Sequence, residues 1–241
     1  MSGRPRFGTV VFDCDATLSA ITGIEELSRE QRSEVERLTD SAMSGQLPLE
    51  QIYARRLALA RPNRRTVEDL GRLYVERLVP DAREVVAALA DSEVDVRIVS
   101  SGVRPAVLTL ARSLGVPDDR VAAVDLRFDA AGEYDAFEDS PLVASGGKAV
   151  ILEGWQLNRP IMMVGDGMTD LETRPVVDLF VAFAGVVARA RVTAGADVVI
   201  TDFSMAPVLS LALDRPPEHE PARSIYERGL SMLQIKRKHD A

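Results

Sequence analysis

The sequence predicts an α/β fold, a doubly wound, Rossmann-like parallel sheet with a helical segment inserted after its first strand. Three observations predict it. An apolar run near the start, Thr9, Val10, Val11 and Phe12, reads as a strand buried on both faces. From Pro80 onward, helix-spaced and strand-like segments alternate, which is the pattern of a parallel sheet covered by helices on both faces. Between these, from about Ser19 to Val79, strand character is lost and apolar residues recur at helical spacing.

With 241 residues, 46% of them apolar, the chain is long enough for one sizeable domain and a smaller inserted one. The expected organisation is a discontinuous core of residues 1–18 and 80–213, a helical cap of residues 19–79, and an appended tail in residues 214–241. In the cap, Gly45-Gln46-Leu47-Pro48 is a turn and Arg61-Pro62-Asn63 a second break. A helix follows, carrying Val67, Leu70, Leu73, Tyr74 and Leu78, with Thr66 as its opening residue. The core then reads as a helix near 82–90, a strand at 95–100, a helix at 105–114 and a strand at 121–126. A small hairpin around Ala131-Gly132, a helix at 148–155 and strands at 161–164, 179–183 and 197–200 complete it. After Pro216-Pro217, residues 224–238 form a tail helix, loosely amphipathic through Ile225, Leu230, Leu233 and Ile235. No repeat or low-complexity stretch interrupts this order.

Composition narrows the function. A net charge of −8 argues against a general nucleic-acid or membrane-surface binder, both of which want a basic face. It leaves a small anionic substrate open, because local charge decides that. No stretch approaches a membrane span. The single cysteine, Cys14, excludes an intramolecular disulfide, and no apolar signal segment precedes the first strand, so a reducing cytoplasm is the expected compartment. The sequence carries no signal for an oligomeric state.

The chemistry starts where the first strand ends, at Asp13 and Asp15. An isolated Asp-x-Asp pair reads equally as a turn or a helix cap. A second acidic cluster, Asp166 and Asp170, follows another apolar run at 161–164, and facing strand ends can gather these carboxylates around one hard cation. Gly165 and Gly167 permit the close backbone turns this needs. A carboxylate attacks an anionic phosphate only when a cation screens the repulsion, so Asp13 as nucleophile requires a metal and a nearby lysine. Asp15 is placed to protonate the leaving alkoxide and then to deprotonate water. Ser100 ends another strand and is followed by Gly102 and a helix, so its hydroxyl and the turn amides can meet phosphate oxygens; an ordinary N-cap serine is the plain alternative. Lys148 opens a helix, where the dipole disfavours a cation, which points to a salt link. Thr17 reads as a phosphate ligand or as a cap.

With these residues in place, the chain resembles the haloacid dehalogenase-like phosphatases, and among them the phosphoserine phosphatases. The resemblance runs from Val10 to about Phe203. It rests on Phe12-Asp13-Cys14-Asp15-Ala16-Thr17-Leu18, Gly23-Ile24-Glu25-Glu26-Leu27, Ala42-Met43-Ser44-Gly45, Arg56-Leu57-Ala58-Leu59, Gly132-Glu133-Tyr134, Ser145-Gly146-Gly147-Lys148 and Gly165-Asp166-Gly167-Met168-Thr169-Asp170. It implies a Mg²⁺-dependent phosphatase acting on a small phosphorylated metabolite, most simply O-phospho-L-serine, through an aspartyl-phosphate. Asp13 would then be the nucleophile and Asp15 the general acid and base. Ser100 and Lys148 would bind the phosphoryl group. Asp166 would hold Mg²⁺ with Asp13 and the Asp15 carbonyl, and Asp170 would support the metal from nearby. Gly102, Thr17 and Thr169 fall at phosphate- or substrate-binding positions, Arg56 at the position that binds the substrate carboxylate, and Met43 and Leu49 at apolar substrate-facing positions.

Two departures stand out. Thr22 occupies the position where these enzymes carry a glutamate that contacts the substrate ammonium, and a hydroxyl does not replace a charge-assisted bond. Ser101 replaces the first glycine of a Ser-Gly-Gly turn. Phosphatase chemistry is unaffected. Substrate choice is not: another phosphorylated small acid, transfer to an acceptor other than water, and a non-catalytic protein on this scaffold remain as alternative expectations.

Overall fold

A computed structural model of the chain describes residues 4–28 and 31–237. The first strand is β1 (Thr9–Phe12), followed by α1 (Gly23–Leu27), α2 (Arg32–Met43), α3 (Leu49–Ala60) and α4 (Arg64–Glu76). The chain returns through α5 (Ala82–Asp91), β2 (Asp95–Val103), α6 (Arg104–Ser113) and β3 (Val121–Val124), and then forms a hairpin of β4 (Leu126–Phe128) and β5 (Tyr134–Phe137). It continues with α7 (Gly147–Gly154), β6 (Ile161–Gly165), α8 (Met168–Leu171), β7 (Leu179–Phe183), α9 (Ala190–Gly195) and β8 (Val198–Ile200), and closes with α10 (Ala206–Ala212) and α11 (Ala222–Arg237).

Six strands form one sheet in the order β3-β2-β1-β6-β7-β8, every neighbouring pair parallel. The sheet is laid outward from β1 to one side and then from β6 to the other, so winding reverses between β1 and β6. Such a reversal leaves a crevice beyond the carboxyl ends of the strands, where open α/β sheets bind ligands. Val10, Val11 and Phe12 are fully buried, as the unbroken apolar run requires of a central strand. Alternation sends Val10 and Phe12 into a core shared with α5, α6 and α10, while Val11 joins Val99, Met163 and Phe180 on the opposite face. That second cluster continues into the inserted helices through Ile24, Val35, Ile52, Tyr53 and Leu57.

Several boundaries differ from expectation. Asn63, not Thr66, caps α4: the Thr66 amide donates to Asn63 Oδ1 at 2.9 Å and the Asn63 amide donates to Thr66 Oγ1 at 2.9 Å, a reciprocal box that makes Thr66 the third helical residue. The strand expected at 121–126 stops at Val124, because Leu126 already pairs with Phe137 in the hairpin. β2 runs on to Val103 with a register shift after Val99, which carries Ser100 and Ser101 to the end of the sheet. In α11 the buried side is Ile225, Tyr226 and Gly229, whereas Leu230 is 39% exposed. The Ile235 side chain, the expected helix end at Lys238 and the outer domain limits expected at 1 and 241 lie outside the described residues. The tail helix is docked on α10 and α5. Arg228 pairs with Asp81, Ser204 Oγ donates to the same carboxylate at 2.5 Å, and Ser210 Oγ donates to the Tyr226 carbonyl at 2.7 Å. The inserted segment is also anchored: α4 packs along α6, with Gly71 against Thr109.

Candidate active site

The crevice between β1 and β6 gathers the acidic residues. The Asp13 amide donates to the Val164 carbonyl at 2.9 Å, extending the strand ladder by one residue and fixing where its carboxylate stands. The chain then turns sharply, with Ala16 at φ 50°, a left-handed conformation that costs a non-glycine residue about 1 kcal/mol. The turn separates the two aspartates. Lys148 Nζ lies 2.8 Å from Asp13 and 2.6 Å from Asp170, all three residues buried. The Asp15 carboxylate instead accepts the Gly23 amide at 3.0 Å and the Tyr74 hydroxyl, both from the inserted helices. Gly165 is glycine for a contact reason: a Cβ there would collide with the Asp170 carboxylate. Asp170 Oδ2 in turn accepts the Gly167 amide at 2.9 Å.

Crowded carboxylates in a dry site resist ionising. Burial, then the neighbouring Asp170, holds the Asp13 carboxyl well above its usual range, and Lys148 only partly offsets this. Burial likewise pushes Asp166 up to about 7, against the pull of the Arg189 guanidinium. Burial raises Asp15 as well, while the Tyr74 and Gly23 donors draw it down. Burial works against the charge on Lys148, but Asp13 and Asp170 outweigh it and raise its pKa. Carboxylate oxygens of Asp13, Asp166 and Asp170 lie within 4.8 Å of one another. Three buried oxygen donors so close, two of them held up by mutual repulsion and desolvation, suit a small hard cation. The Asp15 side chain is not among them.

Over these carboxylates the inserted helices close a cavity of about 30 Å³, walled from above by Thr22, Thr39, Met43 and Arg56 and from below by Ser100, Ser101, Lys148 and Thr169. That is room for one or two waters. Ser100 Oγ accepts the Gly102 amide at 2.9 Å, and Ser101 turns its hydroxyl away to the Leu142 carbonyl at 2.7 Å. Arg56 is 3% exposed and its Nε has no partner. Among the other sequence-derived candidates, Thr17 sits beneath the cavity and donates to Asp166 at 3.4 Å, and Gly102 acts through its backbone. The structure does not bring Leu49 to the cavity wall: it is 2% exposed within the apolar cluster, with its amide on Ser145 Oγ at 3.4 Å. A cavity of about 540 Å³ elsewhere, between α5 and residues 217–222, contains none of these groups.

Sequence reasoning missed Arg189, Tyr74 and Thr39. Arg189 is 8% exposed, pairs with Asp166 and lies 3.7 Å from Asp40 of α2. It precedes α9 with no motif around it. Tyr74 falls on the apolar stripe of α4 and carried no sign that its hydroxyl reaches Asp15.

The family model for haloacid dehalogenase-like hydrolases matches residues 10–173. The bovine phosphoserine phosphatase is 37% identical over 200 residues, 80% of this chain and 89% of the bovine protein. A chloroplastic phosphoserine phosphatase of Arabidopsis thaliana is 37% identical over 202 residues, 80% of this chain and 68% of that protein. Among solved structures, a substrate-bound phosphoserine phosphatase complex superposes with a TM-score of 0.75 at 26% identity, covering 88% of this chain and all of the other. A phospho-aspartyl intermediate analogue of phosphoserine phosphatase gives 0.74 at 26% identity with the same coverage. With the fold wound in the same way and the motifs gathered at one crevice, the chain belongs to the haloacid dehalogenase-like hydrolases, as a phosphomonoester hydrolase resembling the phosphoserine phosphatases.

Proposed function

We propose that this chain hydrolyses O-phospho-L-serine to L-serine and phosphate through an aspartyl-phosphate on Asp13. The observation that carries the reading is Asp13 held 2.8 Å from Lys148 at the floor of a small cavity whose roof bears the buried Arg56, its Nε without a partner. The names of the relatives and the phospho-aspartyl analogue among the matched structures support it. A Mg²⁺ ion held by Asp13, Asp166 and the Asp15 carbonyl, with Asp170 beside it, would neutralise phosphoryl charge when bound.

Asp13 attacks phosphorus, and the bond from phosphorus to the seryl oxygen breaks with its electron pair on that oxygen. Asp15, whose carboxyl burial raises, gives that oxygen a proton. The same carboxylate then takes a proton from water as the water oxygen attacks phosphorus, releasing phosphate and restoring Asp13. Lys148 and Ser100 hold the phosphoryl oxygens, with Thr17, Gly102 and Thr169 shaping the floor. Arg56 meets the substrate carboxylate, and Met43 and Thr22 close the roof. In this reading residues 1–18 and 80–213 form the catalytic core, 19–79 the cap and 214–241 a tail. A cytoplasmic location is part of the proposal and is supported by the single buried cysteine; among the described residues no helix is long and apolar enough to cross a membrane.

Steady-state phosphate release from L-phosphoserine with and without Mg²⁺ tests the reading. Mg²⁺-dependent turnover is the expected result. No release from any small phosphomonoester overturns it.

A further inference from the structure

Tyr53 belongs to the roof but bonds to the floor. It lies on the buried face of α3 with Arg56, one turn ahead of it, and is 1% exposed. Its hydroxyl donates to the Ser101 carbonyl at 2.9 Å, and its ring stands edge-on to Phe137 with centroids 5.2 Å apart. Burial raises the pKa of the Tyr53 phenol, so it remains a donor throughout the working pH range. The carbonyl it reaches is one half of the peptide group joining residues 101 and 102. The other half is the Gly102 amide, which donates to Ser100 Oγ at 2.9 Å. A peptide group is planar, so a donor fixed on its oxygen sets the direction of its N–H and strengthens the bond that the N–H makes. With Gly102 supplying that bond, the Ser100 hydroxyl accepts from the backbone and keeps its own hydrogen to donate to a phosphoryl oxygen in the cavity, which Ser100 lines. The packing here is close: a Cβ on Gly102 would stand 3.0 Å from Ser100 Oγ and 3.4 Å from the Asp15 carboxylate. The Ser101 side chain is held from the core side instead, by its hydrogen bond to the Leu142 carbonyl at 2.7 Å. The turn that carries Ser100 is thus anchored twice, once by the core and once by a helix of the roof. The phosphoserine reading requires that roof to move, since a cavity of about 30 Å³ admits no phosphorylated amino acid.

We propose that Tyr53 is a positioning residue for phosphoryl transfer, reaching through the 101–102 peptide to aim the Ser100 hydroxyl, so that the phosphate-binding floor is fully set only while α3 is seated. The inference rests on the phosphoserine reading above. Its test is a double-mutant cycle of Tyr53→Phe with Ser100→Ala, in the full chain with Mg²⁺ and L-phosphoserine. Tyr53→Phe keeps the ring against Phe137 and removes only the donor. In the wild-type background it should lower kcat/KM roughly tenfold, as expected for a buried acceptor left without its partner. In the Ser100→Ala background the same change should cost less than about threefold, because the hydroxyl that Tyr53 aims is gone. An equal loss in both backgrounds would mean that Tyr53 acts by seating α3 alone, and overturns the proposal; so does a loss below about threefold in the wild-type background. Where Ser100→Ala turns over too slowly to measure, the dissociation constant for inorganic phosphate carries the same cycle. Amide hydrogen exchange on the wild type needs no variant: the Gly102 amide should exchange at the rate at which α3 opens, and protection matching that of Val99 within the sheet overturns the proposal. Release of phosphate from no small phosphomonoester by the wild type overturns the parent reading and this one together.

Discussion

Asp15 is held by one donor from a backbone amide and one from a phenol, and the phenol is the adjustable one. If Asp15 must carry a proton for the leaving oxygen, kcat/KM falls as pH rises through its pKa. The Tyr74 hydroxyl draws that pKa down. Tyr74→Phe therefore raises it, and the descending limb of the pH profile should move to higher pH by about one unit. A limb that stays put or moves lower refutes the role of Tyr74. Metal binding carries its own pH signature. Asp13 is raised by burial and Asp166 is pushed up to about 7, so at pH 6 Asp166 holds a proton that a cation has to displace. Added Mg²⁺ should raise Tm more at pH 8 than at pH 6; equal increments in a thermal scan would place the cation elsewhere. Replacing Asp13 with Asn should lower phosphate release by at least about a thousandfold while the fold is retained, as loss of a covalent nucleophile does. Residual turnover near the wild-type level would move the nucleophile to another residue.

At the scale of elements, the inserted helices divide by what they pack on. α4 lies along α6 and so belongs mechanically to the sheet layer, while α2 and α3 join the rest of the protein through the apolar cluster at Val35, Ile52, Tyr53 and Leu57 and through polar contacts at the rim. Those contacts are specific: Glu50 accepts from the Ser145 hydroxyl and amide at 3.0 Å, Arg191 donates to the Gly45 carbonyl at 2.6 Å, and the Tyr53 hydroxyl donates to the Ser101 carbonyl at 2.9 Å. A cavity of about 30 Å³ does not admit a phosphorylated amino acid, so the proposed reaction requires the roof to lift. Amide hydrogen exchange should show α2 and α3 opening faster than α4 in the ligand-free protein. Equal protection across the three would mean that the segment lifts as one piece. The division was only partly legible in the sequence. Strands announced themselves as apolar runs, and the residues gathered at the crevice came with their motifs, because short-range chemistry is written in neighbouring letters. Arg189 and the Tyr74 hydroxyl were not legible, since each acts on a partner 23 or 59 positions away and looks locally like a loop arginine and a core tyrosine. Thr66 misled for the opposite reason: Asn63 offers the same capping chemistry three residues earlier.

The whole molecule is closed by its tail. Apolar spacing suggested a face through Leu230, yet the docking stripe is Ile225, Tyr226 and Gly229, because the glycine lets α11 approach the Ala206 carbonyl more closely than any side chain permits. Gly229→Val should therefore cost about 1–3 kcal/mol of overpacking and lower Tm by roughly 5 °C, with kcat unchanged. A variant with wild-type Tm would show that the tail is not clamped there. The anchoring of α4 on α6 also matters beyond stability. Tyr74, which donates to Asp15, rides on the helix packed along α6, whereas Thr39, Met43 and Arg56, which line the roof of the cavity, ride on α2 and α3. The two tasks are thus inherited separately. On the proposed reading, mutations within 32–60, Tyr53 aside, would retune what is dephosphorylated without disturbing how, and a lineage could change its diet while keeping its chemistry.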